Sequence, residues 1–467
     1  VIAVCDGPDA KSIGQRRTFM SKRIVIVGGD GAGMSAAAQA KRRDPSLVIT
    51  AYEKGPVVSY SACSIPYYVG KVVNQTDQLI ARTPEEFHRQ LGISVHTEHE
   101  VVDLDLHNQR VQVRGDGSTV WESYDELVLA TGAVPIVPSW PGVSARGIYA
   151  VKSLEDGVSI RRDIENRHPR TAVVVGGGYI GLEMAENLRH WGIQTMLLEQ
   201  KAAVMPTMDP DMGELIVEAL VGLGVDVFLE EEVMGFDVAD GWVRAVQTRK
   251  RNVAADLVIL GLGVRPQSAL AKRAGIPLGI KQAIKVDPYL RTEVAHVWAV
   301  GDVTESHHLV TGQPTYIALA TVANKQGRIA GLNLSGSATP FPGVLGTAIT
   351  RVGATEVART GITLTEAKEA GIDAKETRIQ AETKLGYFSD VSPITVKLVA
   401  EVGSGRVLGG QIVGGSGSGK RIDTIATALS ARMTVTQVVD LDLAYAPPFS
   451  DVWDPVQIAA RTLVSKL

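Results

Sequence analysis

Short, nearly unbroken apolar runs that end in glycines or an acid recur along this chain, and they predict buried parallel strands. Arg23-Ile24-Val25-Ile26-Val27 leads into Gly28-Gly29-Asp30-Gly31-Ala32-Gly33, then into an alanine-rich helix from Met34 to Arg43. The next run, Val48 to Tyr52, ends in Glu53. The same order returns later: Thr171 to Val175, Gly176-Gly177-Gly178-Tyr179-Ile180-Gly181, a helix to Trp191, then Gln194 to Leu198 ending in Glu199. Each unit has a later companion strand that closes in a glycine turn. One is Glu126 to Leu129 with Ala130-Thr131-Gly132; the other is Leu257 to Leu260 with Gly261-Leu262-Gly263. A further strand, His296 to Val300, ends in Gly301-Asp302 and would return the chain to the first unit. From about Phe341 the texture changes to alternation, as in Ile394 to Val399 and Val407 to Val413, with helical patterns at 423–432 and 455–467. That predicts antiparallel strands and a separate domain.

A strand, glycine loop, helix, second strand and terminal acid are what a dinucleotide requires. The glycines allow a tight turn, the helix start faces the pyrophosphate, and the acid takes the ribose hydroxyls. Gly28 to Glu53 is 25 residues and Gly176 to Glu199 is 23, close to the usual interval of about 20. Asp30 stands where the second glycine usually falls, so its carboxylate must turn away from a bound pyrophosphate. One such motif says little; two complete units predict two dinucleotides on one chain. The expected fold is α/β, with two nested Rossmann-like dinucleotide-binding domains and a C-terminal α+β domain. The expected boundaries are a disordered tail at 1–22, a first domain at 23–145 and 271–338, a second at 146–270, and the C-terminal domain at 339–467.

At 467 residues, 45% hydrophobic and 21% charged, the chain has the makeup of a globular enzyme, in about three domains. A net charge of −4 gives no reason to expect nucleic acid or an anionic membrane as partner. No run reaches the ~18 apolar residues of a membrane span, and residues 1–20 do not read as a signal peptide. Two cysteines cannot staple a secreted scaffold, so a reducing cytoplasm is the expected compartment.

Cys5 falls in the tail, and Cys63 lies in Ser59-Tyr60-Ser61-Ala62-Cys63-Ser64-Ile65-Pro66-Tyr67-Tyr68-Val69-Gly70. That stretch is expected to run from a loop into a helix start, where unpaired amides favour the thiolate, the reactive form. Five residues on, where a two-cysteine disulfide-exchange enzyme carries its partner, stands Tyr68. Cys63 therefore reacts alone, or is inert packing. Gly414 to Lys420 mimics a phosphate-binding loop, but Arg421 stands where the Mg²⁺ ligand belongs, so no triphosphate site is expected. His307-His308 has no acid or cysteine at metal spacing; it reads as a surface pair, and no metal site is expected.

Taken together, residues 22–467 resemble the pyridine nucleotide-disulfide oxidoreductase family, in its single-cysteine branch of coenzyme A-disulfide reductases, NADH oxidases, NADH peroxidases and persulfide reductases. The resemblance implies an FAD domain split around an NAD(P)H domain, and a C-terminal domain that forms a homodimer. It implies that Gly28, Gly33 and Glu53 hold FAD, with Ala130, Thr131 and Gly132 lining it and Asp302 at its ribityl or pyrophosphate region. It assigns Gly176, Gly178, Gly181, Glu199 and Gly263 to the nicotinamide dinucleotide, and Tyr179 to covering the flavin until nicotinamide displaces it. Gly31 matches the position of the peroxidase histidine, which disfavours peroxidase activity. The Cys63 stretch is similar to that of the coenzyme A-disulfide reductases, with Ala62 for their usual asparagine. Asp440 to Ser450 is similar to their C-terminal signature. Tyr445, and Tyr387 in Gly386-Tyr387-Phe388, match tyrosines delivered across the dimer interface; no histidine follows His308 to act as an acid instead. Gln39 and Arg42 fall where the family meets the coenzyme A phosphates, and Ser59 joins them as a substrate-binding candidate.

The expected activity is FAD-dependent NAD(P)H oxidation coupled to reduction of a coenzyme A-type disulfide or persulfide, a small-molecule substrate, at Cys63. Glu199 favours NADH, and Lys201 beside it leaves NADPH open. The rival expectations are an NADH oxidase that reduces oxygen and a flavoprotein that passes electrons to another protein.

Overall fold

The computed structural model describes residues 21–467, so the expectations for residues 1–20, Cys5 included, lie outside it. Two five-stranded sheets of the same design carry the first two-thirds of the chain. In the first, parallel strands lie in the order Val297–Ala299, Glu126–Leu129, Arg23–Val27, Val48–Tyr52, Ser94–His96. In the second the order is Val225–Phe228, Gln194–Leu198, Thr171–Val175, Leu257–Leu260, Ile148–Ala150. The central strands are buried on both faces, which is why they read as apolar runs rather than alternating ones. The two copies differ at one edge. The outer strand of the first sheet comes from a segment after the second unit, whereas the outer strand of the second sheet precedes its own unit. A short antiparallel pair, Ala133–Pro135 with Val264–Pro266, joins the two units where the chain crosses between them.

The helix Gly31–Arg43, which begins three residues before the expected Met34, packs on the helix Ala320–Leu334 of the returning segment. Glycines make this approach close: a Cβ on Gly327 would lie 2.3 Å from the Ala32 carbonyl oxygen, and one on Gly331 would lie 2.6 Å from that of Ala36. The start of the returning helix is thereby fixed beside the first glycine loop.

The last third is a five-stranded antiparallel sheet in the order Ala348–Val352, Thr355–Gly361, Val407–Gly414, Pro393–Glu401, Ala374–Glu382. The helices Ile422–Ser430 and Pro455–Val464 pack on it; the latter stops short of the expected 467. An ionic cluster ties this sheet to the second dinucleotide unit. Lys397, nearly buried, meets Asp209 at 2.9 Å, Asp211 at 3.0 Å and Glu376 at 3.2 Å. Gln411 accepts from the Asp209 backbone amide at 2.8 Å and donates to the Asp209 carboxylate at 2.6 Å. Removing Lys397 would leave the three acids with Arg378, 3.6 Å from Asp211, as their remaining paired cation, and nearly buried Asp209 without its ion pair. Lys397→Met is therefore expected to destabilise the protein by about 3 kcal/mol, read as a lowered Tm in thermal unfolding; an unchanged Tm would contradict this.

Candidate active site

The two glycine loops are built at backbone distance. Gly28 has φ +114°, and a Cβ there would lie 2.2 Å from the Ala130 carbonyl oxygen; one on Gly33 would lie 2.0 Å from that of Gly28. In the second loop Gly176 has φ +104° with a Cβ position 2.6 Å from the Gly261 oxygen, and the Gly181 position lies 1.9 Å from that of Gly176. Side chains at these positions are sterically forbidden, and at two of them φ itself favours glycine. Each strand-end acid then ties its loop in place. Glu53 accepts from the Gly29 and Gly55 amides, both at 2.8 Å; Glu199 accepts from Gly177 at 2.8 Å and Lys201 at 2.9 Å. The same cradle is built twice, and both copies suit a dinucleotide.

Asp30 occupies the second-glycine position of the first loop and is largely enclosed. Burial pushes its carboxyl up to about 6, against the pull of the Gly31 and Tyr60 amides and of Lys152.

The cysteine stretch is laid beside the first loop by an unusual turn. Ser59 has φ +50°, its amide donates to the Gly29 carbonyl at 2.9 Å, and its own carbonyl accepts from Ala81 at 2.8 Å. Cys63 sits in the short 3₁₀ turn Ala62–Ser64, directly before the five-residue helix Ile65–Val69. Residues of the second unit hold the far end of that helix. Trp191 Nε1 donates to the Val69 carbonyl at 2.7 Å, and Arg161 donates to those of Tyr68 at 3.2 Å and Asn74 at 3.0 Å.

Cys63 is the free cysteine among the described residues. Its side chain opens into the cavity, yet the surroundings push the thiol up. Burial is the largest cause, followed by Glu183, with Asp302 and Asp30 adding and Lys152 opposing. This corrects the expectation of a thiolate favoured by a helix start. The helix is a single turn and a half, and burial of the thiol, with Glu183 next, prevails over its start.

Glu183, one turn beyond Tyr179 on the helix Tyr179–Arg189, faces the same cavity. Burial pushes its carboxyl from the ordinary 4.5 up to about 7, with Glu186 adding and a 3.0 Å bond from Thr350 opposing. A buried carboxyl with a raised value binds a proton in the folded state that the unfolded chain has already lost. Its contribution to stability is therefore present below about 4.5 and declines as pH rises to about 7. Glu183→Gln is expected to flatten that decline when Tm is followed across the window. A parallel fall in both proteins would refute it.

A cavity of about 2640 Å³ joins these parts. Its wall takes in Gly28, Glu53, Thr131, Gly132, Ala130 and Asp302 from the first unit. From the second it takes in Gly176, Gly178, Tyr179, Glu199 and Gly263. Cys63 lies in the same wall, as do Lys152, which pairs with Asp302 at 3.3 Å, and Asn324. Gly33 and Gly181 form the packed underside of the two loops rather than the wall.

Other candidates stand apart. Gln39, Arg42 and Ser59 do not line this cavity. Gln39 packs its Cβ toward Gly331, and Arg42 is exposed on the same helix face, three residues on. Tyr387 is 72% exposed and Tyr445 48% exposed, and neither lines the cavity that Cys63 of the same chain opens into. The phosphate-loop mimic is closed by its own protein, because Glu356 accepts from the Gly417 amide at 3.1 Å and the Gly419 amide at 2.7 Å. His307-His308 is not a surface pair. His308 is buried, one ring nitrogen accepts from the Val310 amide at 3.2 Å, and burial pushes its pKa down. Among the described residues no group of three or more His, Cys, Asp or Glu is placed to hold a metal, and no helix is long and apolar enough to cross a membrane.

Three cavity residues went unnoticed in the sequence: Lys152, Glu183 and Asn324. Glu183 had a readable signal, an acid four residues after Tyr179 and so on one helix face. Asn324 stands beside Gly31, where a Cβ would come within 3.3 Å of its Nδ2, and its Oδ1 accepts from Ser35 at 2.8 Å. Neither it nor Lys152 carried a local motif.

Known proteins resemble this chain along nearly its whole length. The family described as pyridine nucleotide-disulphide oxidoreductase matches residues 22–327, and the dimerisation domain of that family matches residues 347–456. A protein of Pyrococcus horikoshii named NAD(P)H coenzyme A polysulfide/persulfide reductase is 37% identical over 95% of this chain and 99% of its own. An NADH oxidase of Methanocaldococcus jannaschii is 34% identical over 95% and 99%. Among solved structures, the reduced CoADR-RHD of Bacillus anthracis superposes with a TM-score of 0.92 at 35% identity, covering 95% of this chain and 80% of that one.

Proposed function

This chain belongs to the pyridine nucleotide-disulphide oxidoreductase family, and from that premise we propose that it is an FAD-dependent NAD(P)H oxidoreductase reducing a coenzyme A-type disulfide or persulfide. The observation that carries the reading is a lone cysteine opening into the cavity that joins both glycine cradles. Gly28, Gly33 and Glu53 would hold FAD, with Ala130, Thr131, Gly132 and Asp302 along it. Gly176, Gly178, Gly181, Glu199 and Gly263 would hold the nicotinamide dinucleotide, with Tyr179 at its mouth. The twin loops, which tolerate no side chain, support that assignment. The Glu199 carboxylate disfavours a 2′-phosphate and so favours NADH. When bound, FAD accepts hydride from NAD(P)H and supplies the electron pair that returns a disulfide to thiols.

The chain's own residues handle sulfur and protons. The Cys63 sulfur, once deprotonated, attacks one sulfur of the substrate. A mixed disulfide forms, the substrate S–S bond breaks, and its electron pair leaves with the departing thiolate. Lys152 is the nearby cation that favours the Cys63 thiolate against Glu183 and Asp302. The departing thiolate takes its proton from Tyr445, brought by a second copy of the chain, with Tyr387 beside it. The exposure of both tyrosines and the match to a dimerisation domain support a homodimer. Gln39, Arg42 and Ser59 would meet the carrier of the disulfide outside the cavity. A free catalytic thiol suits a reducing cytoplasm.

The oxidase-named relative favours a second reading in which oxygen is the acceptor, although Gly31 in the histidine position weighs against it. Anaerobic NADH turnover with coenzyme A disulfide separates the two. Thiol release without oxygen is expected. No thiol release, with rapid NADH loss once air is admitted, would replace the reductase reading by the oxidase one.

A further inference from the structure

Arg421 ends the glycine-rich turn that mimics a phosphate loop, and its guanidinium is engaged on every side. Nε donates to the Asp454 carboxylate at 2.7 Å, and one terminal nitrogen donates to the Gly417 carbonyl at 2.7 Å. The other terminal nitrogen donates to two carbonyls, those of Thr383 and Phe449, each at 2.9 Å. Thr383 closes the base of the loop that carries Tyr387, its amide donating to the Ser392 carbonyl at 2.9 Å. Phe449 lies in the turn directly after Tyr445, its amide donating to the Ala446 carbonyl at 2.9 Å. One nitrogen thus bridges the two loops that present the exposed tyrosines.

We infer that Arg421 is a positioning residue that sets Tyr387 and Tyr445 in a fixed relation, so that both reach the active site of a second copy as one unit. This rests on the role given to the tyrosines above. The physical argument is entropic. Tyr387 is largely exposed, packed mainly on the adjacent Phe388 at 4.8 Å between ring centroids, and Tyr445 is half exposed. Side-chain packing alone therefore does little to fix their loops, and backbone anchoring matters. A planar fork can bond a carboxylate and several carbonyls at set angles; an ammonium cannot. Arg421 also pairs with Asp454, whose other oxygen accepts the Val456 amide at 2.9 Å and caps the last helix. Arg421→Lys keeps a cation for Asp454 while removing the bridge, which separates positioning from capping.

The test uses the flavin-loaded full chain with Arg421→Lys, Tyr387→Phe, Tyr445→Phe and their combinations. Arg421→Lys is expected to lower kcat with coenzyme A disulfide about tenfold, part of the ~100-fold that a positioned acid supplies. NADH-dependent ferricyanide reduction and the sedimentation coefficient stay at parental values. Adding Tyr445→Phe to Arg421→Lys costs less than the product of the separate losses. Amide exchange in 383–392 and 444–452 rises together. Unchanged exchange, loosening of one loop alone, or fully multiplicative losses would overturn the inference. If both loops loosen while the tyrosine variants keep full turnover, Arg421 positions the loops and the proton-donor reading falls instead.

Discussion

Cys63→Ser is expected to abolish thiol release from coenzyme A disulfide, with a fall in kcat of more than about 1000-fold, the scale of losing an activated nucleophile. A serine hydroxyl at that position stays protonated, because an aliphatic hydroxyl is a far weaker acid than a thiol and the surroundings that push the thiol up oppose an alkoxide as well. The electron path from NADH to an artificial acceptor does not use the sulfur. Ferricyanide reduction and the yellow colour are therefore expected to match the parent. The side chain opens into the cavity rather than filling a packed core, so the change of one atom is also expected to leave Tm unaltered. Thiol release persisting in the serine variant at a tenth of the parental rate or more would remove Cys63 from the chemistry and leave disulfide reduction to the other groups of the cavity.

How much of this was legible follows from how each feature is encoded. Arg23–Val27 and Thr171–Val175 fall on the residues expected of them, because a strand buried on both faces writes itself as an apolar run. The paired cradles were equally plain, since each is a local sequence of strand, turn and helix. The charge balance at Cys63 was not. The thiol's shift comes first from its burial, then from Glu183, Lys152, Asp302 and Asp30, four separate segments brought together only by the nesting of the units. A local argument from the helix start therefore gave the wrong sign. His308 was misread for the same reason: nothing next to it in the chain announces that it will be buried. The tyrosines illustrate the converse. Their motif was readable, but their relation to each other is carried by Arg421, a residue whose neighbours in sequence suggest a phosphate loop.

The sharpest separation of the two cradles comes from glycines that differ in what they face. Gly33 and Gly181 lie under their loops, with Cβ positions 2.0 Å and 1.9 Å from the carbonyl oxygens of Gly28 and Gly176. Valine at either site forces strand end and helix apart by more than an ångström and closes the turn that would receive a pyrophosphate. Gly33→Val is expected to yield a protein without flavin colour. Gly181→Val is expected to stay yellow and to bleach with dithionite, but not with NADH. Because each change could act through the fold alone, Gly178→Ala serves as the finer probe. A Cβ on Gly178 meets nothing within 4 Å, so the alanine protein is expected to keep the parental Tm and flavin content. Its methyl group would project where a bound dinucleotide must pass close to the backbone. The Kd for NADH is thus expected to rise about 100-fold, equivalent to roughly 2.7 kcal/mol. A Gly178→Ala protein that binds NADH as tightly as the parent would show that the nicotinamide dinucleotide does not lie across the second loop. The two-cradle reading of the chain would then fail at that point, whatever the flavin site proved to hold.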